Sequence, residues 1–118
     1  MKNNQMYIDH ILEETIFLLC LLEHIEWEDF EDSRILQGTC KNSITIIGEA
    51  AKRIDKEVKE AHPEIDWGKL NYMQNLFEHG YFKVDLQMFW NTQLKYVPKL
   101  YEQFYALRKS FSTEKKEK

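Results

Sequence analysis

Between positions 74 and 81 the chain carries Gln74, Asn75, His79 and Tyr81. Two side-chain amides, an imidazole and a phenol supply hydrogen-bond donors and one group that exchanges a proton near neutral pH. The chemistry open to such a set is proton transfer by His79 on a ligand held by the amides. Each residue also has a plainer reading. A histidine near a helix end serves as a C-terminal cap or dipole partner, and a tyrosine packs half-buried with a wet hydroxyl. Positions 74 and 79 are five residues apart, so on one ideal continuous helix they stand about 140° apart. Either the helix ends before His79, helped by Gly80, or the groups of two copies meet across a two-fold axis.

Glu49 lies in the small-residue run Gly48-Glu49-Ala50-Ala51. A carboxylate there is either solvated or paired with a basic group at a helix contact, and structural or site-orienting pairing is favoured over direct catalysis. Glu78 precedes His79 and cannot face it on a helix, so it is expected in solvent. His10, His24 and His62 are scattered, and neither His-Glu-x-x-His nor Cys-x-x-Cys occurs, so no metal site and no cofactor are expected. Cys20 and Cys40 are isolated and read as reduced core residues.

The elements that must position these groups are helices. Four Gly and two Pro in 118 residues leave few turn signals, and the abundance of Leu, Ile, Glu, Lys and Ala favours helix. A first helix, about Tyr7 to Ile25, follows a stripe through Ile8, Ile11, Leu12, Thr15, Leu18, Leu19 and Leu22, widened by Phe17 and Leu21. Trp27 to Glu31 breaks that pattern. Asp32 or Ser33 caps a long second helix with the seam Leu36, Cys40, Ser43, Ile47, Ala50, Ile54 and Val58, ending at Ala61-His62-Pro63. Gly48, Ala50 and Ala51 would let another helix approach closely.

Asp66 caps a shorter third helix with the ridge Leu70, Met73 and Phe77, and Gln74 and Glu78 toward another face. Asp85 opens a fourth, with the seam Leu86, Trp90, Gln93, Val97, Leu100, Phe104, Leu107 and Phe111. Pro98 within that seam is expected to kink or divide it. Tyr96, Tyr101, Phe104 and Tyr105 read as bundle interior rather than as stacking surfaces for bases. The expected fold is an all-α, antiparallel bundle of four to five helices forming one domain over residues 1–111, with a charged flexible tail at 112–118.

A net charge of -4 excludes a general nucleic-acid coat, because non-specific affinity rests on excess Lys and Arg. Any RNA contact must be local. The apolar run Ile16 to Leu22 is too short to span a bilayer, and no signal-peptide cleavage site follows it, so a cytoplasmic location without membrane contact is expected.

Four blocks carry a family resemblance: Ile46-Ile47-Gly48-Glu49-Ala50-Ala51-Lys52, His62-Pro63-Glu64-Ile65-Asp66-Trp67, Met73 to Phe82, and Val97-Pro98-Lys99-Leu100. In order and spacing they resemble the HepT-like branch of the HEPN superfamily over roughly residues 32 to 104. The resemblance implies a dimerising helical bundle, the toxin component of a type VII-like toxin–antitoxin pair. Its implied antitoxin partner is an MNT-type minimal nucleotidyltransferase, and its implied substrate is RNA, either tRNA or mRNA.

The family signature is Arg-Asn, three residues, then His-x-Tyr. Asn75, His79 and Tyr81 match it, while Gln74 stands in the arginine position. By resemblance, His79 assists proton transfer as a ribose hydroxyl attacks phosphorus without a metal, and the arginine holds the phosphate. Glutamine cannot supply the charge or the bidentate contact. A loss of about 100- to 1000-fold in rate is the expected attenuation. Tyr81 is, by resemblance, the residue that the nucleotidyltransferase modifies with AMP. The alternative implied role is a non-catalytic partner of that enzyme, serving as its AMP acceptor or substrate-binding subunit, and a ligand-free structural dimer is the plainest reading.

Overall fold

A computed structural model describes residues 3–78 and 85–117, with side chains described as far as residue 111. The described helices are α1 (Asn4–Glu23), α2 (Trp27–Asp32), α3 (Arg34–Arg53), α4 (Lys56–Ala61), α5 (Trp67–Glu78) and α6 (Leu86–Glu117), and no strand occurs among the described residues. The all-α expectation holds. Two short helices, α2 and α4, stand where the sequence suggested a pattern break and the end of one long helix.

Trp27–Asp32 is helical because its first turn is closed from outside. The Glu26 amide donates to the Asp29 carboxylate at 2.8 Å, and Phe30, fully buried, anchors the turn in the core. Ser33 then caps α3, its hydroxyl accepting from the Leu36 amide at 3.1 Å. The expected seam of that helix is buried or half-buried from Leu36 to Ile54.

The long second helix of the sequence reading breaks at Ile54, which is extended at φ -71° and ψ 138°. Its cause lies far away in the chain. The Asp55 amide donates to Asn4 Oδ1 at 3.0 Å, and Asn4 Nδ2 donates to Asp55 Oδ2 at 3.2 Å. This reciprocal pair rewards a chain that leaves the helix there, while burial of Ile54 at 3% exposure keeps the seam continuous through the break. α4 ends before His62-Pro63, as expected from the clash that proline imposes on its predecessor.

The main helices pack antiparallel. Asn4 at the start of α1 meets Asp55 just past the end of α3, and Asp9 pairs with Arg108 far along α6 at 2.6 Å. Trp67 at the start of α5 meets Phe104 edge-on at 5.5 Å between ring centres, while Phe77 near its end stacks on Phe89 at 3.7 Å. Phe89 also meets Phe30, and Phe30 meets Trp90, so α2, α5 and α6 share one aromatic cluster.

Several expectations are corrected. Phe17 is 46% exposed and Cys20 is exposed, since both lie off the buried stripe of α1. Cys40 is buried, and both thiols are free. Pro98 does not divide α6, which is assigned as one helix from Leu86 to Glu117. Pro98 and Leu94 both face solvent, so water can satisfy the Leu94 carbonyl that lost its amide partner. The α6 backbone is assigned as helical to Glu117. Among the aromatics, Phe104 is core as expected, while Tyr105 is 49% exposed and stacks on Tyr101 at 5.8 Å. Among the described residues no helix is long and apolar enough to cross a membrane.

Candidate active site

Gln74 on α5 is set by one close helix contact. Gly48 on α3 faces Gln74 so closely that a Cβ at position 48 would lie 2.3 Å from Gln74 Oε1 and 2.8 Å from Gln74 Cβ. Only a residue without a Cβ permits this approach, and the small-residue run Gly48 to Ala51 supplies it. Gln74 is thereby 1% exposed.

Burial obliges the Gln74 amide to find partners. Its nitrogen donates to Glu49 Oε2 at 2.7 Å and to Glu78 Oε2 at 3.0 Å. An amide nitrogen has two hydrogens, and these two carboxylates take both. The opposite atom, Oε1, is buried without a hydrogen-bond partner. Glu49 also pairs with Lys52 one turn on, at 3.6 Å with both side chains about half exposed, an arrangement of little energetic weight. The hydrogen bond from Gln74 holds the Glu49 carboxyl below its ordinary value, with the Lys52 charge acting in the same direction.

Gln74 therefore lies between two carboxylates, Glu49 exposed and Glu78 half-buried. A guanidinium there would meet two fork-compatible acceptors, whereas the glutamine meets each with a single N–H. With both hydrogens engaged, the Gln74 amide has none to offer a phosphate. Its present role is to hold Glu49 and Glu78 together across the α3–α5 contact.

Asn75 follows on the adjacent face of α5 and is exposed. His79 and Tyr81 lie outside the described residues. Among the expected site residues, Glu49 and Gln74 are in direct contact, and Asn75 neighbours them along α5. Glu78 was expected in solvent. It is instead half-buried and bonded to Gln74, a contact that the i,i+4 spacing of 74 and 78 signals directly. Among the described residues no group of His, Cys, Asp or Glu is arranged to hold a metal ion.

One feature escaped the sequence reading, because its members come from two helices. Lys69 of α5 reaches over the ring of Tyr96 of α6 at 4.6 Å and over Tyr72 at 5.2 Å. No local spacing pairs 69 with 96.

Comparison with known proteins places the sequence in a family. The sequence profile described as "Ribonuclease HepT-like" matches residues 7–107. A candidate RNase of Caldanaerobacter subterraneus subsp. tengcongensis is 37% identical over 103 residues, covering 87% of this chain and 92% of that protein. A probable ribonuclease HepT of Thermococcus cleftensis is 32% identical over 108 residues, covering 92% and 98%. In Methanocaldococcus jannaschii, a protein named for both a gamma-glutamylcyclotransferase and a candidate RNase is 31% identical over 99% of this chain and 53% of its own length. No solved structure matches.

Proposed function

The chain belongs to the HepT-like ribonuclease family, and from that premise we propose that it is the toxin component of a toxin–antitoxin pair, an RNA endonuclease attenuated at Gln74. His79 moves the protons as a ribose 2′-hydroxyl attacks the adjacent phosphorus. The 2′-oxygen–phosphorus bond forms, the bond to the 5′-oxygen breaks, and the leaving oxygen takes a proton. Asn75, exposed on α5, supplies a neutral hydrogen bond to the phosphate, and no metal takes part. Glu49 orients position 74 rather than touching RNA. Two copies associate near the end of α5, and the substrate is tRNA or mRNA in the cytoplasm.

The observation that carries this reading is the seat of Gln74 between Glu49 and Glu78. Two carboxylates around a buried neutral amide form a cradle suited to a guanidinium, so the chain retains the support for the missing charge. Incubation of the protein with total RNA in EDTA, beside His79→Ala, tests the activity. Slow cleavage present in the parent and absent in His79→Ala supports it, and equal cleavage in both counts against it.

A second reading has its own support, because the Gln74 hydrogens are already taken and position 74 brings no cation to a phosphate. On that reading the chain is the non-catalytic partner of an MNT-type nucleotidyltransferase. The Tyr81 phenol oxygen attacks the α-phosphorus of ATP, AMP is attached, and pyrophosphate leaves.

A further inference from the structure

An open groove of about 450 Å³ runs between α5 and α6 on the side away from the Glu49 contact, with Lys69, Tyr72, Lys95 and Tyr96 among its lining residues. It joins a smaller recess of about 170 Å³ through Lys69 and Tyr96, and Lys99 and Gln103 line that recess. Three lysines thus face one seam in a chain whose net charge is -4. Lys95 and Lys99 are exposed one turn apart on α6, and Lys69 stands opposite on α5.

Two carboxylates lie at the rim, and both are engaged elsewhere. Asp66 Oδ1 accepts from the Lys69 amide at 3.0 Å, and Asp85 Oδ1 accepts from the Met88 amide at 3.2 Å. Each caps the N-terminus of its helix, where the dipole draws its charge. Both keep their negative charge, and that of Asp66 acts on Lys69, so three lysines face two carboxylates along the seam. Of the lysines' aromatic partners, Tyr72 presents the most open ring, 52% exposed, while Tyr96 is half-buried with the Lys69 and Lys95 ammoniums over its ring at 4.6 and 5.5 Å. The Lys69 hydrogen bond holds the Tyr96 phenol below its ordinary pKa and the Lys69 ammonium above its own, so Lys69 stays charged.

We propose that the α5–α6 groove is a docking site for single-stranded RNA, with unpaired bases stacking on Tyr72 and Tyr96 and phosphates pairing with Lys69, Lys95 and Lys99. Alternating cations and aromatic faces are what a flexible strand with exposed bases recognises, since every base has a face to stack and every nucleotide a charge. The groove reaches Leu76 on one side and Asp85 on the other, the two flanks of the segment that carries His79 and Tyr81. This inference rests on the ribonuclease reading and adds where the substrate lies.

The test uses full-length protein carrying His79→Ala, to prevent cleavage, and a fluorescent single-stranded RNA of about ten nucleotides, within the span of common single-strand sites. Binding is followed by anisotropy across salt concentrations. Lys69→Gln with Lys95→Gln should flatten the log-affinity against log-salt slope by about 0.7 for each lysine. Tyr72→Leu should weaken binding about tenfold, within the range found for one stacked base. Lys95→Glu, on an exposed face where folding is not at stake, should weaken it further. Lys56→Gln, at a distant and 86% exposed lysine, should change nothing.

Parent binding that survives all the groove variants overturns the groove while leaving the ribonuclease reading in place. Absence of RNA binding in the parent at low salt overturns both. If the groove variants spare RNA binding but abolish association with a nucleotidyltransferase, the groove is a protein-docking surface and the RNA proposal fails.

Discussion

Gln74 Nε2 lies 2.7 Å from Glu49 Oε2, a hydrogen bond across 25 positions that joins α5 to α3. The same nitrogen reaches Glu78, one turn further along α5. Gln74 thus ties the packing of α3 on α5 to the two carboxylates beside it.

Gly48→Ala should destabilise the fold. Alanine gains about 1 kcal/mol of helix propensity over glycine. The new methyl, however, would lie 2.8 Å from Gln74 Cβ, an atom that moves only with the α5 backbone. Overpacking of this kind costs about 1–3 kcal/mol, so a net loss of about 1 kcal/mol is expected, with a fall of about 4 °C in Tm for a domain of this size. Urea unfolding measures it. Equal or greater stability in the variant would show that α3 and α5 are not in this close contact.

Gln74→Leu should raise the Glu49 pKa, because the hydrogen bond is the largest cause of its depression. A carboxyl with a folded-state pKa below its unfolded one adds stability above the unfolded value and loses it as pH falls through the folded value. The stability that Gln74 gives through Glu49 is therefore present at neutral pH and disappears as the pH drops below about 4.5, the ordinary value. A carboxyl-carbon NMR titration reads the pKa directly. A Glu49 titration that does not move in the variant would remove the hydrogen bond from the account.

The two cysteines should separate in reactivity. Burial pushes the Cys40 thiol up to about 11, while Cys20 is exposed. Since the thiolate is the nucleophile, a thiol reagent at pH 8 should label one site in the folded protein and a second only in denaturant. Cys20→Ser should abolish labelling of the folded state. Rapid double labelling without denaturant would place Cys40 nearer the surface.

What the sequence disclosed and what it withheld follow from the range of the interactions. The seam from Leu36 to Val58 was legible because helical periodicity is local. The break inside it at Ile54 was not, because Asn4 makes it from 51 positions away. Phe17 and Cys20 look apolar enough for the core, but the side of α1 they occupy has no helix against it deep enough to bury them. Glu49 was legible as a pairing residue. Its partner in space is a neutral amide on another helix, together with Lys52 on its own. The Lys69, Tyr72 and Tyr96 groove left no trace in spacing, since α5 and α6 compose it only once folded.

Tyr81 should accept AMP when a cognate nucleotidyltransferase and ATP are supplied. Intact-mass spectrometry should show added AMP units that vanish in Tyr81→Phe. Modification persisting in that variant would move the acceptor to another residue.

The central claim is that this chain is a ribonuclease weakened by one substitution, and Gln74→Arg with a labelled RNA substrate in EDTA tests it most directly. The carboxylates of Glu49 and Glu78 are already placed to hold and orient the guanidinium. Cleavage should rise by about two to three powers of ten, the size of one restored contact to a developing anion. The gain should be lost again in Gln74→Arg with His79→Ala, since arginine alone moves no proton. A Gln74→Arg protein that keeps its helical fold and thermal stability yet remains inert on RNA would contradict the claim and leave the nucleotidyltransferase-partner reading in its place.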